Sequence, residues 1–132
     1  MLITSDNKTL IVAESLAHRI TAFDIDLHGA LKNRRVWVEF ENDVWPSGIC
    51  QDTEGAIWTA AAGASAIRVK EGGEIDHLIT TERPVHDLIL GGPERKQLFI
   101  CTSASSDPVI TRRTPNASIE VFDVSIPGPA CN

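Results

Sequence analysis

Lys8-Thr9-Leu10-Ile11-Val12-Ala13-Glu14 is a short run rich in β-branched residues, and its pattern returns twice further along the chain. It comes back as Gly55-Ala56-Ile57-Trp58-Thr59-Ala60-Ala61, then as Lys96-Gln97-Leu98-Phe99-Ile100-Cys101-Thr102. Polar turns precede the three copies at Asp6-Asn7, Thr53-Glu54-Gly55 and Gly92-Pro93-Glu94. Leu10 and Ile57 are 47 residues apart, and Ile57 and Leu98 are 41 apart. Short strands recurring at such a period are the mark of propeller blades, each a small sheet that buries its faces by stacking on its neighbours.

Each landmark gathers further strands. A shorter apolar one precedes it, at Leu2-Ile3, Gly48-Ile49-Cys50 and Asp87-Leu88-Ile89-Leu90. A third strand follows at 18–24, at 65–70 and, after an insertion over 103–116, at 117–123. Outer strands are expected at 35–40 and 74–80, where Trp37 to Glu39 shows the alternation of a half-exposed strand. The third copy has no fourth strand. Small residues cluster over 60–66, but Gly63 interrupts them and there is no amphipathic stripe, so strand–turn–strand is expected rather than helix. The reading is all-β: about three four-stranded antiparallel blades forming one partial propeller domain over 1–132. The blades fall at about 1–40, 44–80 and 84–125, with a tail at 126–132.

Composition narrows the function classes. A net charge of −6 opposes a nucleic-acid partner, and the basic pairs Arg34-Arg35 and Arg112-Arg113 read as solvated turns. No apolar run is long enough to cross a bilayer and Met1 opens no charged-then-apolar leader, so no membrane partner is expected. Cys50, Cys101 and Cys131 have unrelated spacings that fit neither a disulfide framework nor a zinc module. Cys50 and Cys101 read as small core residues, and a reducing, cytoplasmic location follows. The sequons at Asn7 and Asn116 are chance matches without a secretion signal. Asp24-Ile25-Asp26-Leu27-His28-Gly29 opens like a calcium loop, but His28 and Arg35 stand where further ligands belong, so a hairpin closing on Gly29 is expected.

Strand direction locates the candidate site. Neighbouring strands alternate, so one face collects residues 45–48, residues 84–87, the turn after Glu14 and the insertion. The candidate pocket residues are Glu14, Ser47, His86, Asp87 and, from the insertion, Arg112. The proline-marked insertion reads as a lid or pocket wall, or as a surface loop.

Residues 5–14, 19–25, 33–36, the run from Pro46 to Trp58, and Leu90-Gly91-Gly92-Pro93 have a distinctive order and spacing. Together they resemble the gluconolactonase/senescence-marker-protein/luciferin-regenerating-enzyme-like (regucalcin-like) family, specifically its C-terminal half. The resemblance implies a six-bladed propeller holding one divalent cation, calcium or zinc, at its channel mouth and hydrolysing sugar lactones or related esters. A cation there polarises the carbonyl and lowers the pKa of bound water. The family's ligands are an early Glu, an Asn in a Pro-Asn-Gly-like turn and an Asp in a Pro-Asp-Gly-like turn. The first belongs to a half not in this chain, and the second would fall just before Met1. The third position is Ser47 of Pro46-Ser47-Gly48, a neutral hydroxyl in place of a carboxylate and base. His86 and Asp87, or the nearby acids Glu41 and Asp43, are the groups that could compensate. No metal ligand is assigned.

Three functions fit this reading. The chain is a segment of a lactonase-like hydrolase that lacks a complete metal site, a non-enzymatic binder of a small lactone or sugar acid, or a homodimer completing the ring.

Overall fold

A computed structural model describes residues 1–41 and 44–130 and shows three antiparallel sheets packed in succession. Asp43 and Cys131 lie outside the described residues. The first sheet holds β1 (Leu2–Ile3), β2 (Thr9–Glu14), β3 (Arg19–Ile25) and β4 (Leu31–Glu39). The second holds β5 (Ile49–Gln51), β6 (Ile57–Ala61), β7 (Ser65–Val69) and β8 (Ile75–Thr80). The third holds only β9 (Val85–Gly91), β10 (Gln97–Thr102) and β11 (Ser118–Asp123). Sheets of four, four and three strands make a partial propeller, and the three landmark runs are β2, β6 and β10.

The repeat extends to backbone detail. Before each landmark strand, at the same offset of two residues, stands a residue with left-handed φ: Asn7 at 59°, Gly55 at 84° and Arg95 at 53°. The turns into β4 and β8 also match. Asp26 and Lys70 each donate from the backbone N–H to a carbonyl four residues on, and Gly29 and Gly73 take positive φ. The Asp24–Gly29 segment is therefore a hairpin turn, as its sequence predicts, and residues 57–69 are strand–turn–strand.

Two apolar layers hold the sheets together. Ile11, Ile20, Val38, Ile57 and Val69 pack between the first and second sheets, and Trp58, Ala66, Leu88, Leu98 and Ile100 between the second and third. Each fully buried large side chain stabilises the fold by about 1.5–3 kcal/mol. The second sheet also encloses Arg68, 1% exposed, whose guanidinium donates to Asp52 at 2.6 Å, to Glu54 at 2.9 Å and to Asp76. A buried cation is tolerable only with such partners.

Four expectations need correction. Trp37 and Val38 are both buried, because a bulge pairs Ile20 with Val38 but Thr21 with Val36 and so breaks the alternation at Trp37. Arg34 and Arg35 lie on β4 rather than in a turn, and ion-pair with Glu14 on one side and Asp24 and Glu71 on the other. Cys101 is exposed, since the alternating strand β10 turns it away from the second sheet. Part of the insertion forms a helix, α1 (Pro108–Arg113). Asp107 caps it by accepting from the Val109 N–H at 2.7 Å, Pro108 opens it, and Arg112 and Arg113 occupy its last turn, where cations suit the helix dipole. Among the described residues no helix is long and apolar enough to cross a membrane.

Candidate functional site

The inner strands β1, β5 and β9 form the wall of what a closed ring would enclose as its channel. Ser47, His86 and Asp87 stand at the entrance of β5 and β9 and line one concavity of about 990 Å³ with Ile3, Ile49 and Ile89. Glu14 and Arg112 are not among its lining residues. The structure thus brings together three of the five predicted residues.

The entrance loop is held from the first sheet. Ser15 donates to the Pro46 carbonyl at 2.5 Å, His18 Nδ1 meets the Val44 carbonyl at 2.9 Å, and the His18 and Trp45 rings stack edge-on at 5.3 Å. Ser47 is exposed, and its hydroxyl donates to the His86 carbonyl at 3.1 Å. Gly48 is needed where it stands: a Cβ there would lie 2.5 Å from Asp87 Cα, so β5 and β9 approach too closely for a side chain. Asp87 accepts from the Leu88 N–H at 2.9 Å. His86 turns toward the insertion, with Nε2 at 3.1 Å from the Ser103 carbonyl.

The insertion has an anchored neck. Asn116 Oδ1 accepts from the Ser103 hydroxyl at 3.1 Å and the Ala104 N–H at 3.2 Å. Ser103, Ser105 and Ser106 wall a second hollow of about 550 Å³, which shares His86 with the first. The neck is therefore a pocket wall. Arg112, exposed on α1, does not line that hollow. Ser105 and Ser106 belong to the stretch Ser105-Ser106-Asp107-Pro108, whose polar, proline-marked sequence reads as a lid or pocket wall, whereas Ser103 carries no such signal.

Glu14 belongs to a different surface. It accepts from Arg19 at 2.7 Å and from Arg34 at 3.4 Å on the outward face of the first sheet. The Thr21 hydroxyl and the Arg19 guanidinium beside it hold its carboxyl below the ordinary glutamate range.

A divalent cation does not fit the donors this chain brings to the mouth. Calcium takes six to eight oxygens, with carboxylates supplying the charge. Among the described residues Asp87 is the one carboxylate on the concavity, Ser47 is neutral, and His86 is engaged with a carbonyl. Among the described residues no group of three or more His, Cys, Asp or Glu side chains could hold a metal ion.

Comparison with known proteins supplies the remaining frame. The family model for the SMP-30/Gluconolactonase/LRE-like region matches residues 1–104. Rabbit (Oryctolagus cuniculus) regucalcin is 34% identical over 120 residues, covering 85% of this chain and 40% of that protein. A solved luciferin-regenerating enzyme superposes with a TM-score of 0.78 at 22% identity, over 97% of this chain and 45% of that one. A regucalcin from Agrobacterium tumefaciens, described as calcium-binding, superposes at 0.75 with 16% identity, over 96% and 45%. The two structural likenesses bear on the fold. The chain spans less than half the length of these relatives.

Proposed function

This chain belongs to the SMP-30/gluconolactonase/LRE-like family, and from that premise we propose that it is a segment of a metal-dependent hydrolase of sugar lactones or related esters. The observation that carries the reading is the position of the family match, which runs through the channel mouth where Ser47, His86 and Asp87 converge. In this reading the chain supplies one wall of the substrate pocket. Hydroxyl, imidazole and carboxylate groups on an otherwise apolar concavity suit a lactone or sugar acid, which offers several hydroxyls and one flat ring. The divalent cation, calcium or zinc, would polarise the lactone carbonyl when bound. Its ligands would have to come largely from groups other than those this chain brings to the mouth. The location in this reading is the cytoplasm, in keeping with the free thiols of Cys50 and Cys101.

Ser47 favours a second reading, in which the chain binds a lactone or sugar acid without hydrolysing it. A hydroxyl neither carries the charge a cation needs nor serves as a base near neutral pH.

Glucono-δ-lactone distinguishes these readings. Binding is followed by ligand-observed NMR and hydrolysis by acid release, with calcium and zinc supplied separately. The expected result is weak binding that His86→Ala reduces, with hydrolysis at the buffer rate. Absence of lactone and sugar-acid binding overturns both readings. Cation-dependent turnover by the chain alone overturns the incompleteness of its site and excludes the second reading.

A further inference from the structure

β9 departs from regular strand geometry at its entrance. β10 pairs Cys101 with Asp87 and Thr102 with Val85, so His86 stands between them with no partner across the ladder. It is the extra residue of a β-bulge, a device that re-aims a side chain. His86 and Asp87 are accordingly exposed in succession between buried Val85 and Leu88, where a regular strand would turn one of them inward.

Two hydrogen bonds fix the re-aimed residue. The His86 carbonyl accepts from the Ser47 hydroxyl at 3.1 Å, and its ring Nε2 lies 3.1 Å from the Ser103 carbonyl. A carbonyl can only accept, so Nε2 carries the ring proton, and Nδ1 of the neutral imidazole keeps its lone pair. The Ser103 carbonyl is set in turn by the neck. Asn116 Oδ1 holds the Ser103 hydroxyl and the Ala104 N–H, and the Ser103 N–H donates to the Pro84 carbonyl at 3.1 Å. Among the described residues no hydrogen bond reaches Nδ1.

The concavity and the hollow share His86, Cys101 and Ile119, so His86 stands where the two meet. Its Nε2 is taken up by the hollow's wall. Resting on the reading that the mouth binds a lactone or sugar acid, we propose that Nδ1 of His86 is the acceptor by which the mouth recognises a hydroxyl of that ligand, and that Asn116 is the positioning residue that fixes this tautomer through Ser103. The neighbouring groups call for the same ligand chemistry. Asp87 beside it is a carboxylate and accepts, while Ser47 commits its proton to the His86 carbonyl. The side chains at the entrance thus offer acceptors, and the ligand must bring the donors. A sugar lactone brings several hydroxyls, whereas an unsubstituted lactone ring brings none. A site built to hydrogen-bond a hydroxyl discriminates against the analogue that lacks it.

The test has two arms on the full 132-residue chain. The first needs no ligand: NMR of the imidazole nitrogens at about pH 8, where an ordinary histidine is neutral. His86 should show a protonated Nε2 and a bare Nδ1 more completely than His28, which is exposed in a hairpin turn and serves as the reference. Asn116→Ala should draw the His86 shifts toward those of His28. Asn116→Asp, whose carboxylate accepts the same two bonds, should restore them. A proton on Nδ1, or His86 shifts that match His28 in the unaltered chain, overturns the proposal.

The second arm compares glucono-δ-lactone with δ-valerolactone, the same ring without hydroxyls, by ligand-observed NMR. His86→Gln keeps an amide donor for the Ser103 carbonyl and removes the acceptor at Nδ1. The preference for glucono-δ-lactone over δ-valerolactone should fall about fivefold in this variant. An unchanged preference overturns the proposal while lactone binding itself stands. If neither lactone binds the unaltered chain, the reading of the mouth falls and the recognition by His86 falls with it.

Discussion

The second and third sheets are built from the same repeated sequence pattern and end in different environments. In the second, β6 is buried at Ile57, Trp58, Thr59 and Ala60, and β7 from Ala66 through Val69, so both faces are covered. In the third, β11 alternates strictly between half-buried and exposed positions, with Ile119 and Val121 on the open side. The difference lies in the neighbours. β6 and β7, covered on both faces, lose the period-two signal, whereas β11 of the terminal third sheet keeps it. Energy should divide the same way, with much of the stability in the middle sheet.

The largest expected effect breaks the centre. Asp52→Ala leaves the Arg68 guanidinium without one of its partners at a position 1% exposed. A loss of about 4 kcal/mol in a urea-denaturation experiment is expected. Comparing the two sides of the third sheet sharpens the point. Leu98→Ala, facing the second sheet, should cost about 3 kcal/mol. Val121→Ala on the open side, measured at dilution, should cost under about 1 kcal/mol. Equal losses at these two positions would mean that the open face is covered within a single chain.

Thiol labelling with peptide mapping gives a smaller contrast. At dilution Cys101 should react in the native protein, while Cys50 should react only on unfolding, because burial pushes its thiol pKa up to about 12. Acid gives a further modest effect. Glu14 and Asp76 have folded pKa values below their unfolded ones, which lie near 4.5 and 3.8. Their contributions to stability are therefore full above those values and are lost as pH falls through the depressed folded ones. Thermal melts should be flat across neutral pH and fall below about pH 4, and Glu14→Gln should flatten part of that fall.

The fold was legible because the repeat is local: strand, αL turn and strand recur at fixed offsets, down to Asn7, Gly55 and Arg95. What depended on distant partners was less so. Nothing near Trp37 in sequence announces the bulge that buries it, since the bulge is a property of its pairing with β3. Cys101 sits in an apolar run like Cys50, and its exposure follows from its place on the side of β10 that faces away from the second sheet, where the described residues form no further sheet. Strand direction brought Ser47, His86 and Asp87 to one mouth, but Glu14 belongs elsewhere. Side-chain alternation on β2 puts Glu14 on the outward face, where Arg19 and Arg34 hold it. Arg112 was set apart by a helix whose cap, Asp107-Pro108, was readable and was not read.

In the proposed function the channel mouth supplies one wall of the family's site and lacks carboxylate charge at Ser47. Calorimetric titration of calcium into the chain and into Ser47→Asp separates these two properties. The unaltered chain should show no saturable binding, and the variant a measurable calcium affinity, because it places a second carboxylate on the concavity that Asp87 lines. Calcium bound equally well by both proteins would contradict that lack of charge, showing that the ligands are already complete without position 47.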